Sequence, residues 1–295
     1  MSGTERCYQL PMTIYLNGLF MPLVEAKVSV MDRGFLFGDG AYELIPVYSR
    51  RPFRLGIHLE RLASTLTGMR LSNPHSSADW ERLVTKIILL NDPADQSVYL
   101  QVTRGVAMDQ RNHAFPKNIP ATVFIMSEPL LTPGSDQRER GVEAVSAIDF
   151  RWLRCDLKTI SALANCLLRQ QAIDARCTET ILFRDGLLTE GAASSIFVVC
   201  DGMLLVPPKS HRMLPGITYD IVLELAAAHG LPYEIRDICE NEVRTADEVW
   251  LTSSTKEVLP IVRLDGQPIG KGHPGPMFAC MYDLYQQFKT AVMRC

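Results

Sequence analysis

The chain has 295 residues, 47% of them hydrophobic and 21% charged, with a formal net charge of −3. That length suffices for two domains with substantial cores, and the near-neutral balance gives no electrostatic reason to expect nucleic acid or a membrane as partner. Eight cysteines, at 7, 155, 166, 177, 200, 239, 280 and 295, show no CxxC pair, which fits neither a disulfide framework nor a zinc site and reads as the reduced thiols of a cytoplasmic protein. Residues 1–9 are polar and do not form a signal peptide, and residues 1–11 read as an extension ahead of the fold. Residues 12–129 then alternate short strands with helices and are expected to form a smaller N-terminal α/β domain. Strands are predicted over 13–16, 42–48, 97–103 and 121–126, and helices over 58–69 and 79–90. The Pro-, Gly- and charge-containing stretch 130–141 reads as a linker. Beyond it, 142–295 is expected to form a larger C-terminal domain that binds a cofactor. It opens with strands over 142–150 and 151–158 and a helix over 162–175. Asp185-Gly186, Asp201-Gly202 and Asp265-Gly266, each flanked by apolar runs, signal β-hairpins. The fold class implied is α+β, each of two lobes a sheet packed with helices.

Of the eight lysines, only Lys158 closes a strand-like run directly before a long apolar helix. A lysine held among apolar walls and near other cations gives up its proton more readily than a solvated one and can form a Schiff base with an aldehyde. Pyridoxal 5′-phosphate is the obvious candidate, and it needs a phosphate cup and a partner for its pyridine nitrogen. Gly216-Ile217-Thr218 precedes a predicted helix over 219–229, where free N–H groups and the helix dipole favour an anion. A second group of hydroxyls and amides follows the strand over 248–251 and includes Ser253 and Ser254, and Arg61 could supply positive charge. Glu190 suits the pyridine nitrogen: it lies between two strands and is followed by Gly191-Ala-Ala-Ser, small residues that let a flat ring approach the backbone. Taken singly, each feature is also what a surface lysine, a helix cap or a solvated turn glutamate would show.

Together they match a known order. The run Asp32-Arg-Gly-Phe-Leu-Phe-Gly-Asp-Gly-Ala-Tyr42-Glu43, the strand end Val102-Thr-Arg-Gly105, the Lys158 segment, Thr189-Glu190-Gly191 and Gly216-Ile217-Thr218 resemble the fold-type IV pyridoxal phosphate enzymes, in particular their D-amino acid aminotransferase branch. The resemblance runs from about Ile14 to Phe288 and implies a cofactor seated between the lobes. It also implies that Lys158 bears the Schiff-base linkage and shuttles the proton, that Glu190 meets the pyridine nitrogen, and that Arg61, Ile217, Thr218, Ser253 and Ser254 hold the phosphate. In such enzymes an Arg-x-His pair, here Arg111 and His113, joins the tyrosine of the Gly-Asp-Gly-x-Tyr motif, here Tyr42, on the substrate carboxylate. The pair comes there from the neighbouring subunit, which implies a homodimer with composite sites.

Residues two apart in an extended segment face the same way, so Arg111 and His113 can address one carboxylate. The branched-chain branch typically carries Gly-Glu-Asn soon after its Glu-Gly, and this chain has Ala192-Ala-Ser-Ser instead. Relatives often place serines where Ala192 and Ala193 stand, so a hydroxyl contribution there is missing, and Leu214-Pro215 before Gly216 is a further local variation. The resemblance implies ping-pong transamination of a D-amino acid with a 2-oxo acid acceptor such as 2-oxoglutarate or pyruvate. A branched-chain L-amino acid aminotransferase and an aminodeoxychorismate lyase remain as alternatives, alongside a protein that only binds the cofactor and a structural domain without one.

Overall fold

The computed structural model describes residues 12–108 and 111–295, so the extension expected over 1–11 lies outside the described residues. Two compact units divide the chain. The first runs to Leu130 and takes in Lys158–Ser161; the second comprises Leu131–Leu157 and Ala162–Cys295.

The first unit is a six-stranded antiparallel sheet of order β2-β1-β6-β5-β3-β4. Its strands are β1 (Thr13–Leu16), β2 (Leu19–Pro22), β3 (Gly40–Tyr48), β4 (Arg51–Pro52), β5 (Gln96–Thr103) and β6 (Thr122–Pro129), with a short helix α1 (Arg33–Phe37) leading into β3. Helices α2 (Leu55–Gly68) and α3 (Ser77–Leu90) pack on the sheet. In α2, His58, Leu59, Leu62, Thr65 and Leu66 are buried, the helical spacing of one core-facing stripe. In α3 the Ser76/Asp79 capping box starts the helix, and Trp80, Val84, Ile87 and Ile88 join Ile45, Val47, Val98 and Leu100 in the core.

The second unit is a nine-stranded mixed sheet. After α4 (Ser135–Arg140) come β7 (Val142–Ile148), α5 (Leu163–Asp174), β8 (Glu179–Arg184), β9 (Leu187–Gly191), β10 (Ser195–Cys200), β11 (Met203–Val206) and α6 (Ile217–Ala228). The remaining elements are β12 (Tyr233–Ile235), α7 (Glu240–Arg244), β13 (Glu248–Ser253), β14 (Glu257–Leu264), β15 (Gln267–Pro268) and α8 (Pro276–Phe288). Strand order is β12-β11-β10-β13-β14-β7-β8-β9, with β15 beside β14. Each Asp-Gly pair sits between antiparallel strands with both residues at positive φ, for example Asp185 at 55° and Gly186 at 75°. That is the backbone of a type I′ turn, whose twist matches its strands. Val198, Leu205, Val249, Leu251, Leu259 and Ile261 centre the core.

Two expectations are corrected. Residues 151–158 form no ladder: Asp149 Oδ1 accepts from the Arg151 N–H at 3.1 Å, and the Leu157 N–H donates to the Arg154 carbonyl. Local side-chain and turn bonds thus displace strand pairing, which resumes only at Thr159, bridged to Ala41. Helix α6 starts at Ile217 rather than at 219, because Gly216 takes an extended conformation as N-cap and Ile217 and Thr218 are already buried helical residues.

Candidate active site

In the first unit, Lys158 is placed by β3. The Tyr42 N–H donates to the Lys158 carbonyl at 3.0 Å, the Ile160 N–H to the Gly40 carbonyl at 2.9 Å, and the Lys158 N–H to Thr65 Oγ1 at 3.3 Å. The side chain then lies across the Tyr42 ring, Nζ 4.2 Å from its centroid, where a cation meets the negative face of the π system. Tyr42 in turn stacks on Tyr99 at 5.6 Å, and burial pushes the Tyr99 phenol up to about 12, keeping it neutral. Close backbone approach is needed here. Gly38 ends α1 at φ 65°, and a Cβ on it would come within 2.6 Å of Ser161 Oγ, in the segment that carries Lys158.

Behind Lys158 lies a buried charge cluster. Glu43, fully buried on β3, accepts a two-pronged fork from Arg61, Nε and Nη2 each at 2.8 Å, and a further bond from His58 Nδ1 at 2.8 Å. Burial alone would raise this carboxyl, but the Arg61 fork and His58 hold it at about 2. Burial also lowers the affinity of His58 for a proton, against the pull of Glu43, and its Nε2 is buried without a partner. Arg61, expected to meet a phosphate, is thus itself anchored by Glu43.

Arg111 and His113 sit together on the Phe37 ring, Arg111 Cζ 4.8 Å and the His113 ring 5.1 Å from its centroid. They share one aromatic platform, in keeping with residues two apart facing one way. Tyr42 lies on Tyr99 rather than on this pair.

In the second unit, Glu190 is the penultimate residue of β9 and is buried. Its Oε1 accepts from Arg151 Nη1 at 2.5 Å and its Oε2 from the Leu214 N–H at 3.2 Å. Burial pushes its carboxyl up to about 7, opposed by Arg151 and the Leu214 N–H. Arg151 is shared: its Nε and Nη2 both bond Asp149, at 2.9 Å each. The loop after Glu190 is fixed by Glu179, fully buried, which accepts from Ser194 Oγ at 2.7 Å and Lys256 Nζ at 3.0 Å. Lys256 also belongs to the turn beginning at Ser253, whose Oγ accepts the Lys256 N–H at 3.0 Å. Glu179 therefore ties the two segments expected to serve the ring and the phosphate. A Cβ at Gly191 would meet Ser194 Oγ at 2.3 Å, so a side chain there would push that hydroxyl off Glu179.

Ile217 and Thr218 form the first turn of α6, where Gly216 provides no side-chain cap, so the dipole and the first-turn N–H groups point at any anion placed there. Thr252 Oγ1, one residue before Ser253, is buried with no partner.

Glu43, His58, Asp149, Arg151, Glu179 and Lys256 are partners that the sequence expectations do not include. One signal was present: Glu43 interrupts an otherwise apolar strand, Ala41-Tyr-Glu-Leu-Ile-Pro-Val47, and a carboxylate in a buried strand must find a cation.

Residues 40–264 match the family described as amino-transferase class IV. D-alanine aminotransferase of Bacillus licheniformis is 38% identical over 266 residues, covering 90% of this chain and 93% of that one. The Listeria monocytogenes D-alanine aminotransferase is 32% identical over 284 residues, 96% and 97% of the two chains. The T.th. branched-chain amino acid aminotransferase, solved with pyridoxamine 5′-phosphate, matches with a TM-score of 0.87 over 97% of this chain and 96% of that one. At 24% identity that is a likeness of fold. With the family pattern spanning most of the length and relatives above 30% identity along it, the chain belongs to the amino-transferase class IV family.

Proposed function

We propose that the chain catalyses pyridoxal 5′-phosphate-dependent transamination of D-amino acids, of the D-alanine type, with a 2-oxo acid acceptor such as 2-oxoglutarate or pyruvate. The observation that carries it is Lys158: a lysine pinned through its backbone to β3, with Nζ resting on Tyr42. D-alanine specificity is supported by the full-length relatives of that name.

The residues present suit the cofactor. Thr252 Oγ1 is an orphaned buried hydroxyl beside Ser253 and Ser254, and the α6 N-terminus lacks a side-chain cap; both are what a bound phosphate would satisfy. When bound, the cofactor supplies an aldehyde carbon that amines can join and a ring that takes up electrons released at the substrate Cα. Lys158 Nζ would hold it and, as general base, would take the proton released at the substrate Cα. Glu190 keeps a proton at the ring nitrogen: a carboxyl that burial pushes up to about 7 gains most by acquiring a second cation. Arg61, Ile217, Thr218, Ser253 and Ser254 hold the phosphate, while Tyr42, Arg111 and His113 receive the substrate carboxylate.

A homodimer with composite sites and a cytoplasmic location complete the reading. Ile148, Phe150, Trp152, Leu153 and Leu163 of the second unit expose large apolar surface, the kind that a second copy covers. Among the described residues no helix is long and apolar enough to cross a membrane.

The deciding experiment pairs D- and L-alanine with 2-oxoglutarate and follows pyruvate, with borohydride labelling of the loaded protein. Turnover of D-alanine and a label on Lys158 are expected. Activity on L-leucine alone would move the chain to the branched-chain alternative, and pyruvate release from aminodeoxychorismate without acceptor to the lyase. A label on another lysine would overturn the site.

A further inference from the structure

Arg33 has no part in the chemistry above, yet it is among the most heavily bonded residues of the first unit. It is the first residue of α1, 4% exposed, and its Nε bonds Asp39 Oδ2 at 2.8 Å. Its remaining nitrogens reach the backbone of the loop that carries Arg111 and His113. Nη1 donates to the Asn112 carbonyl at 2.6 Å and to the Ala114 carbonyl at 3.4 Å, and Nη2 donates to the His113 carbonyl at 3.1 Å.

The anchor is itself rigid. Asp32 Oδ1 caps α1 by accepting the Gly34 N–H at 2.7 Å, and its Oδ2 accepts from Thr103 Oγ1 at 3.0 Å and Thr122 Oγ1 at 2.6 Å. Asp39 is also gripped by Arg104 Nε at 2.7 Å and Nη2 at 3.0 Å. Arg104 Cζ lies 3.7 Å from the Phe115 ring, at the far end of the loop. The Arg33 guanidinium also stacks on Phe37 at 4.7 Å, the ring on which Arg111 and His113 rest.

A loop with exposed side chains has little apolar contact to order it, and fixing each residue of its backbone costs about 1–2 kcal/mol of conformational entropy. A planar guanidinium reaching three successive carbonyls meets that cost before substrate arrives, and a lysine, with donors clustered at one point, cannot reproduce the fork. We infer that Arg33 is a positioning residue for substrate recognition: through three consecutive loop carbonyls and the Phe37 platform it presets Arg111 and His113 to receive the substrate carboxylate. This inference rests on the proposed function for the identity of the bound group, but not for the loop's order.

The test uses the loaded holoenzyme and its Arg33→Met, Arg33→Lys and Phe37→Leu variants. Arg33→Met is expected to raise KM for both D-alanine and 2-oxoglutarate about tenfold, with kcat lowered far less and cofactor absorbance retained, because lost preorganisation weakens binding of both carboxylates. Arg33→Lys should recover little, and Phe37→Leu should shift KM in the same direction to a smaller extent. Combined with Arg111→Ala, Arg33→Met should add almost nothing, since both act through one interaction. Trypsin cleavage after Arg111 should be faster in Arg33→Met than in the parent. A parent that turns over D-alanine while the variants keep its KM overturns the inference alone, as does a double variant whose effects multiply. A parent inactive on D-amino acids overturns the proposed function; cleavage at Arg111 then decides, and equal rates in parent and Arg33→Met sink the inference too. If Arg33→Met does not fold, Phe37→Leu gives the same KM and cleavage readouts, with unchanged values counting against it.

Discussion

Glu43 in the first unit and Glu190 in the second are both buried glutamates facing an arginine, yet their surroundings drive them in opposite directions. Glu43 is held at about 2, whereas Glu190 is pushed up to about 7. The difference lies in the partners. Glu43 has the whole fork of Arg61 and a bond from His58, while Glu190 shares its arginine with Asp149 and otherwise has one backbone N–H. A fully engaged cation outweighs desolvation, and a shared one does not. One carboxylate is satisfied and serves to anchor; the other remains short of positive charge and suits a protonated ring.

The largest expected effect tests the anchored carboxylate. Glu43→Gln leaves Arg61 and His58 without their anion and should lower stability by roughly 3–5 kcal/mol in urea unfolding; an unchanged midpoint would remove the contrast. Next comes pH. Because Glu190 is raised on folding, its contribution is complete below about pH 4.5 and is lost as pH rises through about 7. Cofactor-free Glu190→Gln should therefore gain stability over its parent above pH 7, on the order of 3 kcal/mol. Glu43 has the opposite sign, present above about pH 4.5 and lost as pH falls towards 2. Thermal melts of parent and Glu190→Gln across this range should diverge on the alkaline side, and parallel curves would mean Glu190 is not short of charge.

In turnover, Glu190→Gln should cost about a hundredfold in kcat, as expected when one preorganised charge is removed from an active site. A kcat near the parent value would detach Glu190 from the ring. The smallest effects concern the loop after Glu190. Ala192 is buried against Leu168 and Leu182, so Ala192→Ser should destabilise by roughly 1–2 kcal/mol through an unpaired hydroxyl. Ala193 is exposed, and Ala193→Ser should stay within about 0.5 kcal/mol. Calorimetry of the two variants measures how far this loop accepts a hydroxyl at each position.

Much of the fold was legible because its signals are local. The three Asp-Gly turns, the core stripe of α2 and the capping box of α3 are each set by residues within a few positions of one another. The order of motifs gave the family, and with it the proposal that Lys158, Glu190 and Gly216-Ile217-Thr218 serve one cofactor. Residues 151–158 have the pattern of a strand but form none, because Asp149 lies just outside the run and spends its carboxylate on Arg151, a competition that β propensity ignores.

By itself, then, the sequence determined most element types, the hairpins and the family, and pointed to the side chains proposed to carry the chemistry, since these depend on short-range pattern and residue order. Only the tertiary structure decided how those side chains are held. Arg61 meets Glu43 from 18 residues away, Arg151 meets Glu190 from 39, and Arg33 grips carbonyls about 80 residues further along. Such pairings arise because burial makes an unmatched charge or carbonyl costly, and which partner comes within reach is fixed by packing and topology rather than by spacing along the chain.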